Sequence, residues 1–362
     1  MNKIMVAMSG GVDSSVTAYL LQQEGYECCG CTMRLYDTDE LVAAKEPCAE
    51  CRDTKTCCSL DDVEDARSVA RRLQMRYHVF NYKQEFTDFV ISDFVRNYEC
   101  GRTPNPCIRC NKYLKFDKLL HEASVLGYDG IATGHYARIE YDGDKYILKT
   151  ALDPTKDQSY VLYNLTQEQL SKIKFPLGGL AKTEVRRIAE EQGFINARKH
   201  DSQDICFVPD GDYAGMISRY TGKTYEPGNF VDTQGNILGR HEGIIHYTIG
   251  QRRGLGISSS ARLYVVKIDV ESNTVILGSD NDLFNCNVNI RDFHWIAGDN
   301  IPSEFRCRAK IRYRMSAQDA TVYVGTDGTT NIVFDKPQRA ATPGQTAVFY
   351  NDDIVLGGGT IL

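Results

Sequence analysis

Apolar and polar positions alternate along the first two hundred residues with two distinct periods. Residues 3–8, with the unbroken apolar run Ile4–Met8, read as a buried strand. From Ser14 to Gly25 the spacing becomes helical, with Val16, Tyr19, Leu20 and Leu21 recurring and Gly25 as a stop. Cys28–Tyr36 predicts a second strand, 37–58 a long polar loop, and Ser59 a capped helix start followed by acids at the positive dipole end. Further on, 77–80 predicts a strand, 85–100 a helix with Phe86, Phe89, Val90, Phe94 and Val95 on one side, 111–126 another helix, and 130–133 a strand.

Strands alternating with helices predict an α/β fold with a doubly wound parallel sheet to about residue 208. Beyond about residue 225 short Val/Ile/Tyr-rich runs alternate with turn pairs, which predicts antiparallel β structure. The expected division is therefore 1–208, a small mixed domain at 209–278, and a β-barrel-like domain at 279–362.

Composition changes this picture little, but charge does. The 362 residues carry 42 Lys/Arg and 48 Asp/Glu, a net −6, which disfavours a generally basic nucleic-acid module. Residues 1–100 hold 11 of the basic and 17 of the acidic residues, so the remainder, with 31 of each, is neutral. Any basic surface must be local. The apolar run near the start is too short for a signal-peptide core, and no stretch reaches a membrane span, so a cytoplasmic protein is expected. In that setting the 13 cysteines are expected to be reduced, metal-bound or catalytic.

The turn after the first strand reads Met8-Ser-Gly-Gly-Val-Asp-Ser-Ser15. Two glycines let the backbone turn sharply, and the helix start aims its N–H groups at an anion. Ser9, Ser14 and Ser15 are candidate hydroxyl donors and Asp13 a candidate magnesium ligand. The Walker A and Gly-x-Gly-x-x-Gly patterns are both absent from this turn. The string resembles the pyrophosphate (PP) loop of ATP pyrophosphatases, which implies cleavage of ATP between the α and β phosphates and adenylation of a carbonyl-type oxygen.

A second candidate site lies at Arg102-Thr-Pro-Asn-Pro-Cys-Ile-Arg-Cys-Asn111, a proline-stiffened loop expected to present Cys107 and Cys110 before a helix. Residues 101–120 carry a net +4, which favours thiolates. Cys206 follows in Asp201-Ser-Gln-Asp-Ile-Cys-Phe207. Taken alone, Cys-x-x-Cys also fits a structural zinc half-site, and Cys206 a core residue.

These segments, together with Ala132-Thr-Gly-His-Tyr136, Lys156-Asp-Gln-Ser-Tyr160, Tyr247-Thr-Ile-Gly-Gln-Arg252 and Thr342-Pro-Gly-Gln345, resemble the bacterial tRNA-specific 2-thiouridylase family over nearly the whole chain. The resemblance implies an enzyme, a tRNA-uridine 2-sulfurtransferase, that uses ATP and Mg2+ to activate C2 of the wobble uridine. Its sulfur arrives as a persulfide from a cysteine desulfurase or a sulfur-carrier protein. By motif, Cys206 matches the persulfide-bearing cysteine and Cys110 the partner that resolves it through a Cys110–Cys206 disulfide. Ala7, Met8, Ser9, Gly10, Gly11, Val12, Asp13, Ser14, Met33 and Gly134 match ATP-binding positions. Asn105, Pro106 and Cys107 match the segment that meets the target base, and His135, Lys156, Asp157, Gln158, Arg312, Tyr313 and Gln345 match tRNA-contacting positions.

Three thiols at one site, Cys107, Cys110 and Cys206, also fit an iron–sulfur cluster with one open iron, which would deliver sulfide instead. Cys48, Cys51, Cys57 and Cys58 fit either a zinc site or an insertion with incidental thiols. Another ATP pyrophosphatase, such as an amide-forming synthetase, is the rival enzyme, although no amidotransferase domain fits the remaining length. A non-enzymatic, thiol- or metal-sensing RNA binder is the third reading. Finally, Arg306, Arg308, Lys310, Arg312 and Arg314 recur with period two. On a strand all five share one face, while Cys307, Ala309, Ile311 and Tyr313 face the core, and the row needs either an RNA backbone or flanking acids.

Overall fold

The computed structural model describes residues 2–36, 60–199, 205–298, 300–325 and 329–362. Cys48, Cys51, Cys57, Cys58 and the Ser59 cap lie outside the described residues. The chain divides into two compact units, 1–90 with 107–212 and 353–355, and 91–106 with 213–352 and 356–362. The two later segments expected as separate domains thus share one unit, within which each builds its own sheet. Among the described residues no helix is long and apolar enough to cross a membrane.

The first unit is built on strands β1 Lys3–Ala7, β2 Glu27–Arg34, β3 Arg76–Asn81 and β4 Gly130–Ala132, then a hairpin of β5 Ala137–Tyr141 and β6 Tyr146–Thr150, then β7 Ile173–Lys174. Five of these form a parallel sheet in the order β3-β2-β1-β4-β7. Ile4, Met5 and Val6 are wholly buried, as the unbroken apolar run requires of a strand covered on both faces. Helix α1, Val12–Gln23, packs Val16, Ala18 and Leu21 into that core and ends at Glu24 before Gly25, whose φ of +87° gives the left-handed stop. Helix α2, Leu60–Arg72, supplies Ala66, Val69 and Ala70. The antiparallel β5–β6 hairpin, turning at Gly143, interrupts the α/β alternation expected to run unbroken to residue 208.

Strand order reverses between β1 and β4. The loops that follow these two strands therefore flank the crevice where open α/β sheets bind ligands.

The second unit holds β8 Gly228–Val231, β9 Ile237–His241, β10 Tyr264–Asp269 and β11 Thr274–Gly278, ordered β10-β11-β8-β9. One pairing departs from the antiparallel expectation: β8 and β11 run parallel, Thr274 opposite Asn229. It also holds β12 Phe284–Trp295, β13 Glu304–Lys310, β14 Gln318–Val324, β15 Thr330–Arg339, β16 Thr346–Asn351 and β17 Ile354–Ile361. These close into a six-stranded barrel through the β12–β17 pairing, around Val288, Ile290, Val322, Ile332, Phe334 and Phe349.

Candidate nucleotide and thiol site

The glycine turn lies between β1 and α1. Gly10 has φ +73°, and a Cβ there would sit 2.4 Å from the Asp62 carbonyl oxygen, so both conformation and space demand glycine. Gly11 starts α1 with no side-chain cap. Two of the three serine hydroxyls expected as phosphate donors, those of Ser14 and Ser15, are engaged within the turn. Ser14 Oγ and Ser15 Oγ donate to the Gly11 carbonyl at 3.0 and 3.1 Å, and the Ser9 N–H donates to Ser14 Oγ at 3.3 Å. What the loop offers an anion is the uncapped helix start. Across the crevice, a Cβ on Gly134 would lie 3.0 Å from Asp13 Cβ and the Ser14 nitrogen, so a side chain at 134 would press on that start. Met33 stands near the carboxyl end of β2, at the same end of the parallel strands as the glycine turn.

Asp13 does not stand open to a metal. The Lys182 ammonium donates to both of its carboxylate oxygens at 2.7 and 2.8 Å, and the Tyr136 hydroxyl donates to Oδ1 at 2.8 Å. A magnesium ion there would share the carboxylate with Lys182 or displace it.

Beneath the turn, the Asn196 Nδ2 donates to the Gly10 carbonyl and to Ser15 Oγ, each at 2.9 Å, while its Oδ1 is buried without a partner. Lys199 donates to Asp62 at 2.6 Å, Asp65 at 2.7 Å and the Gly10 carbonyl at 3.3 Å. Burial pulls the Lys199 pKa down, yet the two carboxylates outweigh it and leave it raised. Lys182, Asn196 and Lys199 carry no motif and each finds its partner far along the chain, while Tyr136 closes the Ala132–Tyr136 motif without any sign there of its bond to Asp13.

The thiol segment also differs from expectation. The helix begins at Pro106 rather than after Cys110, with proline in the first helical position it favours. Cys107 is exposed in the first turn; Cys110 is half-buried where the helix widens to a π-helical stretch, Cys110–Lys118. Cys206 is half-buried too, its carbonyl accepting from the Tyr36 hydroxyl at 2.5 Å. Phe207 packs edge-on against Phe86, which also meets Tyr36. Among the described residues no group of three or more cysteine, histidine or acidic side chains is placed to hold a metal. The iron–sulfur alternative on Cys107, Cys110 and Cys206 therefore finds no support. Cys28, Cys29 and Cys31 are β2 thiols whose pKa burial pushes up, that of Cys28 to about 11, which makes them packing groups.

Several positions expected to touch tRNA also hydrogen-bond within their own loops. His135 is 8% exposed, lies between Phe116 and Phe175, and shares a 2.6 Å hydrogen bond with Thr133. Burial, then the Lys115 charge, holds its pKa well below the usual imidazole value. Asp157 accepts from the Ala151 and Ser159 N–H groups, and Gln158 from the Tyr136 N–H. Lys156 is half-buried beside them.

In the second unit, Arg312 donates to the Arg339 and Ala340 carbonyls and Gln345 to the Thr103 carbonyl at 2.8 Å. The five-charge row is corrected. Strand β13 ends at Lys310, so Arg312 and Arg314 leave its face, and Tyr313 is 38% exposed rather than in the core. Arg306 is bidentate to Asp335 at 2.8 Å, and Arg308 lies 4.0 Å from Asp319. Flanking acids thus meet two of the five charges, Arg306 and Arg308.

Three family models match the chain. "tRNA methyl transferase HUP domain" covers residues 2–210, "tRNA methyl transferase PRC-barrel domain" 215–279, and "Aminomethyltransferase beta-barrel domain" 286–361. A protein of Acetivibrio thermocellus named tRNA-specific 2-thiouridylase MnmA is 51% identical over 362 residues, covering 99% of each chain. One of Clostridioides difficile with the same name is 47% identical, covering 99% of this chain and 98% of its own. A solved 4-thiouridine synthetase–RNA complex with bound ATP aligns at a TM-score of 0.35 and 16% identity, over 57% of this chain and 45% of that one, a likeness too slight to build on.

Proposed function

The chain belongs to the tRNA-specific 2-thiouridylase family, and we propose how its residues carry out thiolation. The activity is an ATP-dependent sulfur transfer to a tRNA uridine. The residues around the first glycine turn suit a triphosphate: an uncapped helix start, a glycine turn packed closely on the Asp62 backbone, and a lysine on Asp13. Bound there with Mg2+, ATP supplies the adenylyl group that converts the C2 oxygen of the wobble uridine, a poor leaving group, into AMP. Ala7 to Ser14, Met33 and Gly134 border it. Asn105, Pro106 and Cys107 meet the target base, which must leave its stack to expose C2.

Cys206 carries a persulfide handed over by a cysteine desulfurase or a sulfur carrier. Its terminal sulfur bonds to C2 as the C2–O bond breaks. The Cys110 thiolate then attacks the Cys206 sulfur, the S–S bond to the transferred sulfur breaks, and a Cys110–Cys206 disulfide forms as 2-thiouridine leaves. A thiol reductant returns both cysteines. Lys156 and the exposed Tyr313 contact tRNA, while His135, Asp157, Gln158, Arg312 and Gln345 shape the loops that do so. Residues 1–208 form the catalytic domain, 209–278 a small tRNA-binding domain and 279–362 a C-terminal β-barrel domain.

One observation carries this reading: a single unit joins an uncapped glycine-turn helix start, at the sheet's switch point, with half-buried Cys110 and Cys206. Thiol chemistry of this kind also favours sulfur transfer over the methyl transfer in the family models' names. Incubation with ATP, Mg2+, unmodified tRNA and a persulfide donor should yield 2-thiouridine by nucleoside mass spectrometry, and Cys206→Ser should abolish it. Wild-type turnover of that variant would remove the assigned role. Glutamine-dependent AMP release without thiolation would replace the reading with an amide-forming synthetase.

A further inference from the structure

Two helical segments of the first unit lie side by side next to Cys110, and both widen there. Lys83–Phe86 continues into a π-helical turn at Thr87–Ile91, and Pro106–Arg109 into the π-helical stretch Cys110–Lys118. Such widened turns cost regular hydrogen bonding and are found mostly at functional sites. A 2.8 Å ion pair between Glu85 and Lys118 ties the segments at one end, and Arg109 Nε donates to the Phe89 carbonyl at 3.4 Å toward the other. Between these ties the rings of Phe89 and Tyr113 stack, with centroids 5.0 Å apart and planes 16° apart. The Arg109 guanidinium stands 4.7 Å and the Lys112 ammonium 5.3 Å from the Tyr113 centroid.

Phe89 is 41% exposed, whereas Phe86 and Val90 on the same turn are buried. A lone exposed ring is ordinary. A stacked pair flanked by two cations, three residues on from a candidate catalytic cysteine, is a combination with a chemical match. We propose that Phe89 and Tyr113 form a stacking platform for a nucleobase adjacent to the modified uridine in the single-stranded loop of the RNA. This rests on the thiolation reading above. Sequence-tolerant recognition of unstacked bases uses aromatic faces and guanidinium planes beside cations that meet the phosphates. Arg109 and Lys112 supply the positive charge that such a strand requires. A single exposed ring on its stacked partner is far smaller than the roughly 800 Å² per partner of a stable protein interface.

The test uses the full-length protein and an unmodified anticodon stem-loop RNA with 2-aminopurine on either side of the target uridine. The wild type should quench the probe at one of the two positions on binding. Phe89→Ala should lose that quench and bind the RNA roughly 5- to 150-fold more weakly, the range for removing one stacked base. Phe89→Leu keeps apolar bulk without a π face and should lose the quench as well, while Phe89→Trp should keep it. ATP affinity and the melting temperature should hardly move, because Phe89 lies at the surface. Wild-type affinity and quench in both the Ala and Leu variants would overturn the platform while leaving thiolation intact. Failure of the wild type to bind any tRNA would overturn both.

Discussion

Replacing Lys182 with methionine removes the cation that holds Asp13 while keeping most of the side chain's bulk. The Lys182 side chain is 10% exposed and that of Asp13 29%. Removing one partner of a fully buried pair costs about 3–5 kcal/mol, because the other charge is stranded. Asp13 keeps the Tyr136 hydroxyl and some access to water, so the loss here should be nearer 2–3 kcal/mol. For a unit of about 200 residues this lowers the melting temperature by about 4–12 °C, at about 2–4 °C per kcal/mol. Scanning calorimetry on Lys182→Met, Asp13→Asn and the double variant supplies the cycle. The double variant leaves no stranded charge, so its loss should fall short of the sum of the singles by at least about 1 kcal/mol. Additive losses, or a Lys182→Met shift below about 1 °C, would refute the view that this pair fixes the helix start.

Three further outcomes follow from the geometry. Gly134→Ala pushes a methyl to 3.0 Å from Asp13 and the Ser14 nitrogen, so ATP affinity by calorimetric titration should fall at least about tenfold; unchanged affinity would separate Gly134 from the nucleotide. Gly10→Ala combines φ +73° with a 2.4 Å approach to the Asp62 carbonyl and should cost more than about 2 kcal/mol in urea unfolding, so a wild-type midpoint would contradict the loop geometry. His135 is held neutral when folded, so its unfolded form binds the extra proton: stability is intact above about pH 6.5 and is lost as pH falls below it. His135→Asn should flatten that acid limb, and a limb identical to wild type would assign it to other groups.

What could be read along the chain was whatever depends on near neighbours. The buried run of β1, the glycine turn and the spacing of Val16, Leu20 and Leu21 are local, so the phosphate loop and its parallel sheet could be inferred. The start at Pro106 was misplaced because two prolines suggest a loop, although proline also favours the first helical position. The π-helical turns at Thr87–Ile91 and Cys110–Lys118 have no pattern in the residues that precedes packing. Lys182, Asn196 and Lys199 stand 169, 186 and 137 residues from Asp13, Gly10 and Asp62, and burial of a charge is decided by such a partner rather than by its neighbours. The basic row was half legible. Its period two holds over 304–310, where Cys307 and Ala309 point inward, but the strand end and the acids Asp319 and Asp335 come from the barrel's closure.

The central claim is that the C2 oxygen of the uridine leaves with the adenylyl group while a cysteine sulfur takes its place. Unmodified tRNA carrying ¹⁸O at C2 of the wobble uridine, incubated with the protein, ATP, Mg2+ and a persulfide donor, tests it in one turnover by mass spectrometry of the products. The account predicts one ¹⁸O in the phosphate of AMP for every 2-thiouridine formed. Recovery of the label in water or pyrophosphate, or thiolation with unlabelled AMP, would contradict it.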